Sequence, residues 1–129
     1  MVNEQLEMDL DPRDLTPMDM VKEYAKTSGQ ERNVPMSRRL ISEEYLEWLE
    51  EVKDSASRPT NELKELADLV YVVYGYANAR GWDLDMALLR VHDNNMGRMN
   101  QPDGTILRRD DGKVIKNKDY PKVVLEDLV

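Results

Sequence analysis

Two stretches that both read as helices carry acidic residues at three- and four-residue spacing, and this most constrains what the 129-residue chain can fold into. The first, ISEEYLEWLEE, holds Glu43, Glu44 and Glu47; the second, NELKELADLVYVVYGYA, holds Glu65 and Asp68. Residues three or four apart share a helix face. Glu44 with Glu47, and Glu65 with Asp68, thus form two carboxylate pairs able to meet where the helices pack. In outline this is a magnesium site.

The first acidic run is unfavourable as plain surface. Glu43 faces Glu47, Glu47 faces Glu51, and Glu50 faces Asp54; each like-charge pair destabilises an isolated helix by roughly 0.2–0.5 kcal/mol. A cation would relieve the run, although Arg39 can reach Glu43 and acidic faces are common. The second stretch favours the cation. Leu63, Leu66, Ala67, Val70, Tyr74 and Ala77 form one apolar face, and Leu69, Val72, Val73 and Tyr76 extend it, which predicts a helix buried on nearly all sides. A carboxylate entering such surroundings must be paired, protonated or metal-bound. Lys64, one turn before Asp68, is the ordinary partner for Asp68 and offers nothing to Glu65 on this reading.

The rest of the chain supplies an all-α frame. A first helix is expected from about Leu15 to Ser28, with Met18, Val21 and Ala25 on one face and a stop near Gly29. The second runs from about Ser37 to Asp54, packing Ile41, Tyr45, Trp48, Leu49 and Val52. The third runs from about Asn61 to Arg80, with Thr60 as N-cap and Gly81 as the stop. Asp83 caps a fourth, reaching about Met99. Residues 1–13 are acidic and irregular, with a loose start expected. The segment 101–129 is a tail in which Thr105–Leu107 and Val114–Ile115 flank Asp110-Asp111-Gly112, a hairpin signal. The expected architecture is one domain, 1–129: a four-helix bundle with a short C-terminal β-hairpin.

Composition narrows the function classes. Without cysteine there are no disulfides or thiolate chemistry, and a cytoplasmic setting fits. No charged segment followed by an apolar run opens the chain, so no signal peptide is expected. The longest apolar stretch, Leu69 to Ala77, falls short of the ~20 residues a spanning helix needs. A net charge of −8 argues against a polynucleotide partner. The basic residues concentrate late, from Arg90 and Arg98 to Lys122, where they either meet a small anionic ligand or simply face solvent. Phe is absent and Met numbers 8, giving a plastic interior. His92 has Leu89, not Glu, three residues before it, which argues against a ferritin-like di-iron bundle.

Glu-Glu-x-x-Glu, a gap of 17 residues, then Glu-x-x-Asp resembles the metal-binding signature of the all-α nucleoside triphosphate pyrophosphohydrolases, the MazG-like and phosphoribosyl-ATP pyrophosphohydrolase-like superfamily. Arg38-Arg39-Leu40-Ile41, Asp68-Leu69-Val70-Tyr71 and His92 through Arg98 resemble it as well, so the likeness covers roughly Val34 to Lys122. The resemblance implies Glu44, Glu47, Glu65 and Asp68 as ligands of Mg2+, with Mn2+ as a substitute. It implies Glu43 as the base orienting the attacking water, and Asn95 and Arg98 as substrate-binding residues, Arg98 standing where similar proteins frequently have Lys. The implied reaction converts a nucleoside triphosphate into the monophosphate and pyrophosphate. Two alternatives stand beside it: a phosphoribosyl-ATP pyrophosphohydrolase-like metabolic enzyme, and a catalytically silent helical interaction module. The resemblance also implies a homodimer or higher homo-oligomer, as the needs of a helix apolar nearly all round suggest. The tail either folds over the nucleotide site or uses Ile106, Leu107, Val114 and Ile115 to cover core or a partner subunit.

Overall fold

The computed structural model describes residues 14–129; the expectation for 1–13 lies outside them. The elements are α1 (Pro17–Ser28), α2 (Val34–Lys53), α3 (Pro59–Arg80), α4 (Leu84–Arg98), β1 (Leu107–Arg108), β2 (Val114–Ile115) and the 3-10 turn η1 (Glu126–Leu128). This is the all-α architecture with a short β tail that the pattern predicts. One compact unit ends at Leu84 and a second spans Asp85–Val129. No described helix is long and apolar enough to cross a membrane.

Local chemistry sets the helix ends. Thr16 opens α1 with a reciprocal cap: its hydroxyl accepts from Asp19 N–H and the Asp19 carboxylate accepts from Thr16 N–H, both at 3.1 Å. Gly29 and Gly81 close α1 and α3 at φ 75° and 77°, a left-handed conformation that costs glycine nothing. The helices α2 and α3 begin earlier than expected, at Val34 and Pro59. Pro35 and Pro59 lie within the first turns, where the missing N–H would have had no helical partner. Asn33 caps α2, accepting from Met36 N–H at 3.2 Å. Arg58 replaces the expected Thr60 at the start of α3 and makes no side-chain cap bond.

In the first unit α2 packs along α3, and α1 packs against α3 as well. Met18, Val21, Tyr74 and Ala77 form the buried core, with Trp82 and Leu84 against it; each large side chain contributes roughly 1.5–3 kcal/mol on burial. The predicted all-round burial of α3 is not found. Leu63 is 66% exposed and Val70 48%. Among the described residues α1 meets this face at Tyr71 and Tyr74, while Leu63, Leu66 and Val70 stay exposed.

In the second unit the hairpin pairs Leu107 with Ile115 and Arg108 with Val114, antiparallel. The tail then runs back along α4. Asn117 N–H donates to Arg98 O at 2.8 Å, and the Asn94 side chain donates to Pro121 O at 2.8 Å. Arg90 grips Asp127 through two bonds of 2.6 and 2.9 Å. The Tyr120 ring lies against Gly97, in space that any Cβ at 97 would enter. Ile106, Leu107 and Ile115 remain exposed among the described residues, and Val114 is half-buried.

Candidate metal centre

Carboxylate oxygens of Glu44 and Glu47 on α2 and Glu65 on α3 lie within 4.8 Å of one another. The i,i+3 spacing sets the first two on one face of α2, and the packing of α2 on α3 brings in the third. One oxygen of Glu44 and one of Glu65 are buried with no hydrogen-bond partner among the described residues. Burial, then contact with the Glu47 carboxyl, then the charges of Glu47, Asp68 and Glu65 push the Glu44 carboxyl up to about 7. Burial also raises Glu65, against the opposing pull of Lys64 and with Glu47 and Asp68 adding to the rise.

Buried anionic oxygens without donors require a cation or a proton. A hard divalent ion suits this all-oxygen set. Oxygens opposite one another on a magnesium ion lie about 4.2 Å apart, so the cluster is within a small side-chain adjustment of embracing one. The donor set therefore fits the cation that its sequence pattern implies.

Asp68 stands beside this trio, not in it. Lys64 Nζ is 2.6 Å from its Oδ2 and, against expectation, also 3.9 Å from Glu65. Lys64 thus serves as an internal counter-charge to both α3 acids. Glu43 is exposed and outside the cluster. The Arg39–Glu43 pair that would have made the run ordinary surface is not formed among the described residues. Glu51 accepts a hydrogen bond from Ser57 Oγ, which removes it from the unpaired acids.

Trp48, Tyr71 and Tyr74 could in sequence stack on a base, although aromatic residues at helical spacing are usually core, and Trp48 is half-buried. Its indole N–H is buried with no hydrogen-bond partner among the described residues, one turn after Glu44 on the same face of α2; the i,i+4 spacing from Glu44 was the available signal. Tyr74 is core, and Tyr71 packs edge-on against Tyr24. In the second unit, Asn95 is exposed and Arg98 half-buried, its Nε lacking a partner among the described residues. His92 is exposed. Of the late basic residues, Arg109 is bound to Asp111 at 2.5 Å and Arg108 donates to Gly112 O at 3.0 Å, both within the hairpin.

The all-α fold, with Glu44 and Glu47 meeting Glu65 across two packed helices, is consistent with an all-α pyrophosphohydrolase. The family model of phosphoribosyl-ATP pyrophosphohydrolase matches residues 16–95, and the chain belongs to that family. The matched span includes all five acids and Asn95 but ends before Arg98 and the tail. It supports a pyrophosphohydrolase-type activity, and it favours the phosphoribosyl-ATP alternative over a general nucleoside triphosphate pyrophosphatase. No curated protein sequence matches the chain.

Proposed function

We propose that this protein is a magnesium-dependent pyrophosphohydrolase acting on phosphoribosyl-ATP, cleaving between the α- and β-phosphates to release pyrophosphate. The observation that carries the proposal is the three-glutamate cluster with two buried, unpartnered oxygens, in a chain of this family. Glu44, Glu47 and Glu65 would hold the cation, with Asp68 beside them on Lys64. Bound there, Mg2+ would neutralise the triphosphate and polarise the attacked phosphorus. Glu43 orients the water as general base, and Asn95 and Arg98 contact the nucleotide. Residues 1–129 work as one functional domain in the cytoplasm, as a homodimer or higher homo-oligomer, with Mn2+ able to replace Mg2+.

A second reading, hydrolysis of ordinary nucleoside triphosphates, draws on the same acidic signature. One panel separates the two and tests both. Phosphoribosyl-ATP and the common nucleoside triphosphates are incubated with Mg2+ or EDTA, and the products resolved by chromatography. Pyrophosphate from phosphoribosyl-ATP, abolished by EDTA, is expected. Release of orthophosphate alone would overturn the reaction, and absence of any hydrolysis would leave the silent module.

A further inference from the structure

About three turns along α3 from the carboxylates, the charge changes sign. Arg38, near the start of α2, donates to the Tyr76 hydroxyl at 3.5 Å and lies 5.8 Å from that ring's centroid. Tyr76 meets Trp82 edge-on, centroids 5.9 Å apart, and Arg80 lies 4.6 Å over the Trp82 ring. One guanidinium thus meets the phenol and the other lies over the indole packed against it. The Arg38 hydrogen bond, followed by the charges of Arg38 and Arg80, holds the Tyr76 hydroxyl below the usual phenol range despite partial burial.

Neither arginine pairs with a carboxylate among the described residues, although acids outnumber bases 26 to 18 in the chain. Both are exposed and held over aromatic rings, so their forks are pre-positioned without being neutralised. Guanidinium pairs of this kind match the oxygens of a phosphate. Tyr76 follows Glu65 by eleven residues, close to three full turns, which sets them on one face of α3 about 16 Å apart. Half-buried Val72 lies on the same stripe between them.

We propose that Arg38 and Arg80, held on the Tyr76–Trp82 aromatic pair, form a subsite for a phosphate monoester at the end of the substrate remote from its triphosphate. This rests on the acidic cluster holding the triphosphate end. In phosphoribosyl-ATP two pentoses and a purine separate the triphosphate from the second phosphate, a span on the scale of the distance between the two poles. ATP has no such second phosphate. The pole therefore gives the protein a means of preferring the larger substrate.

The test uses the full chain and its Arg38→Gln, Arg80→Gln and Tyr76→Phe variants, with thermal melts to verify folding. For phosphoribosyl-ATP, KM is expected to rise roughly 10- to 100-fold in each arginine variant, the range of a lost charge-assisted contact. Mn2+ affinity and turnover of ATP are expected to stay as in the parent. Equal effects on both substrates, or none on either, would overturn the subsite. Ribose 5-phosphate binding, followed by NMR, judges it apart from hydrolysis. Binding to the parent that is lost in both arginine variants upholds the subsite even if phosphoribosyl-ATP is not hydrolysed. No binding to the parent, or equal binding to all chains, refutes it.

Discussion

At the residue scale the centre is governed by carboxylate repulsion and burial, which a cation or a proton would relieve. Glu47→Gln and Asp68→Asn keep shape and remove charge. Each should lower hydrolysis by more than the roughly 10–100-fold typical of outer-shell partners of a metal, with the fold retained. Glu47→Gln should also raise the metal-free melting temperature, because Glu44 loses its nearest like charge; full activity in both variants would make the acidic face decorative. The pH dependence follows from Glu44, which titrates at about 7 in the fold against an ordinary 4.5. Between those values the folded protein keeps a proton that the unfolded chain has released. Stability therefore falls as pH rises through that window and stays low above it. Melts in EDTA from pH 5 to 8 should show the decline, and added Mg2+ should flatten or reverse it. A slope indifferent to Mg2+ would argue that Glu44 binds no cation.

At the scale of elements, the α4–tail contact makes a prediction with a change of sign. Gly→Ala inside a helix ordinarily stabilises by about 1 kcal/mol. At Gly97 the added methyl would enter the space of the Tyr120 ring, so Gly97→Ala should destabilise the parent yet stabilise a Tyr120→Ala chain. A melting series of the four combinations measures the coupling; additive effects would mean the ring yields freely. Much of this level was legible in sequence. The helix stops at Gly29 and Gly81, the α1 stripe and the hairpin follow from local pattern. The starts of α2 and α3 were misjudged because a proline in a first turn looks the same in sequence as one before it. Three of the four proposed ligands gather as their spacing demands. Asp68's engagement with Lys64 depends on a rotamer that periodicity does not encode. The Arg38–Tyr76 meeting joins residues 38 positions apart across two helices, beyond any local signal.

At the scale of the whole molecule, the exposed first half of α3 is the feature that most wants explanation. Leu63, Leu66 and Val70, with Pro17 and Met20 of α1, line an apolar groove. Sedimentation should show a dimer or larger species at micromolar concentration. Leu63→Asp with Val70→Asp should shift it toward monomer and make melting less dependent on protein concentration. A parent that sediments as a monomer would count against self-association. The division of the chain at Leu84 has a different consequence. Every carboxylate of the proposed centre, and both arginines of the cationic pole, precede that boundary, while the family match stops at Asn95. A change beyond residue 100 therefore alters none of these side chains in sequence, and what it touches instead is the tail's hold on Arg90, Asn94 and Arg98 of α4.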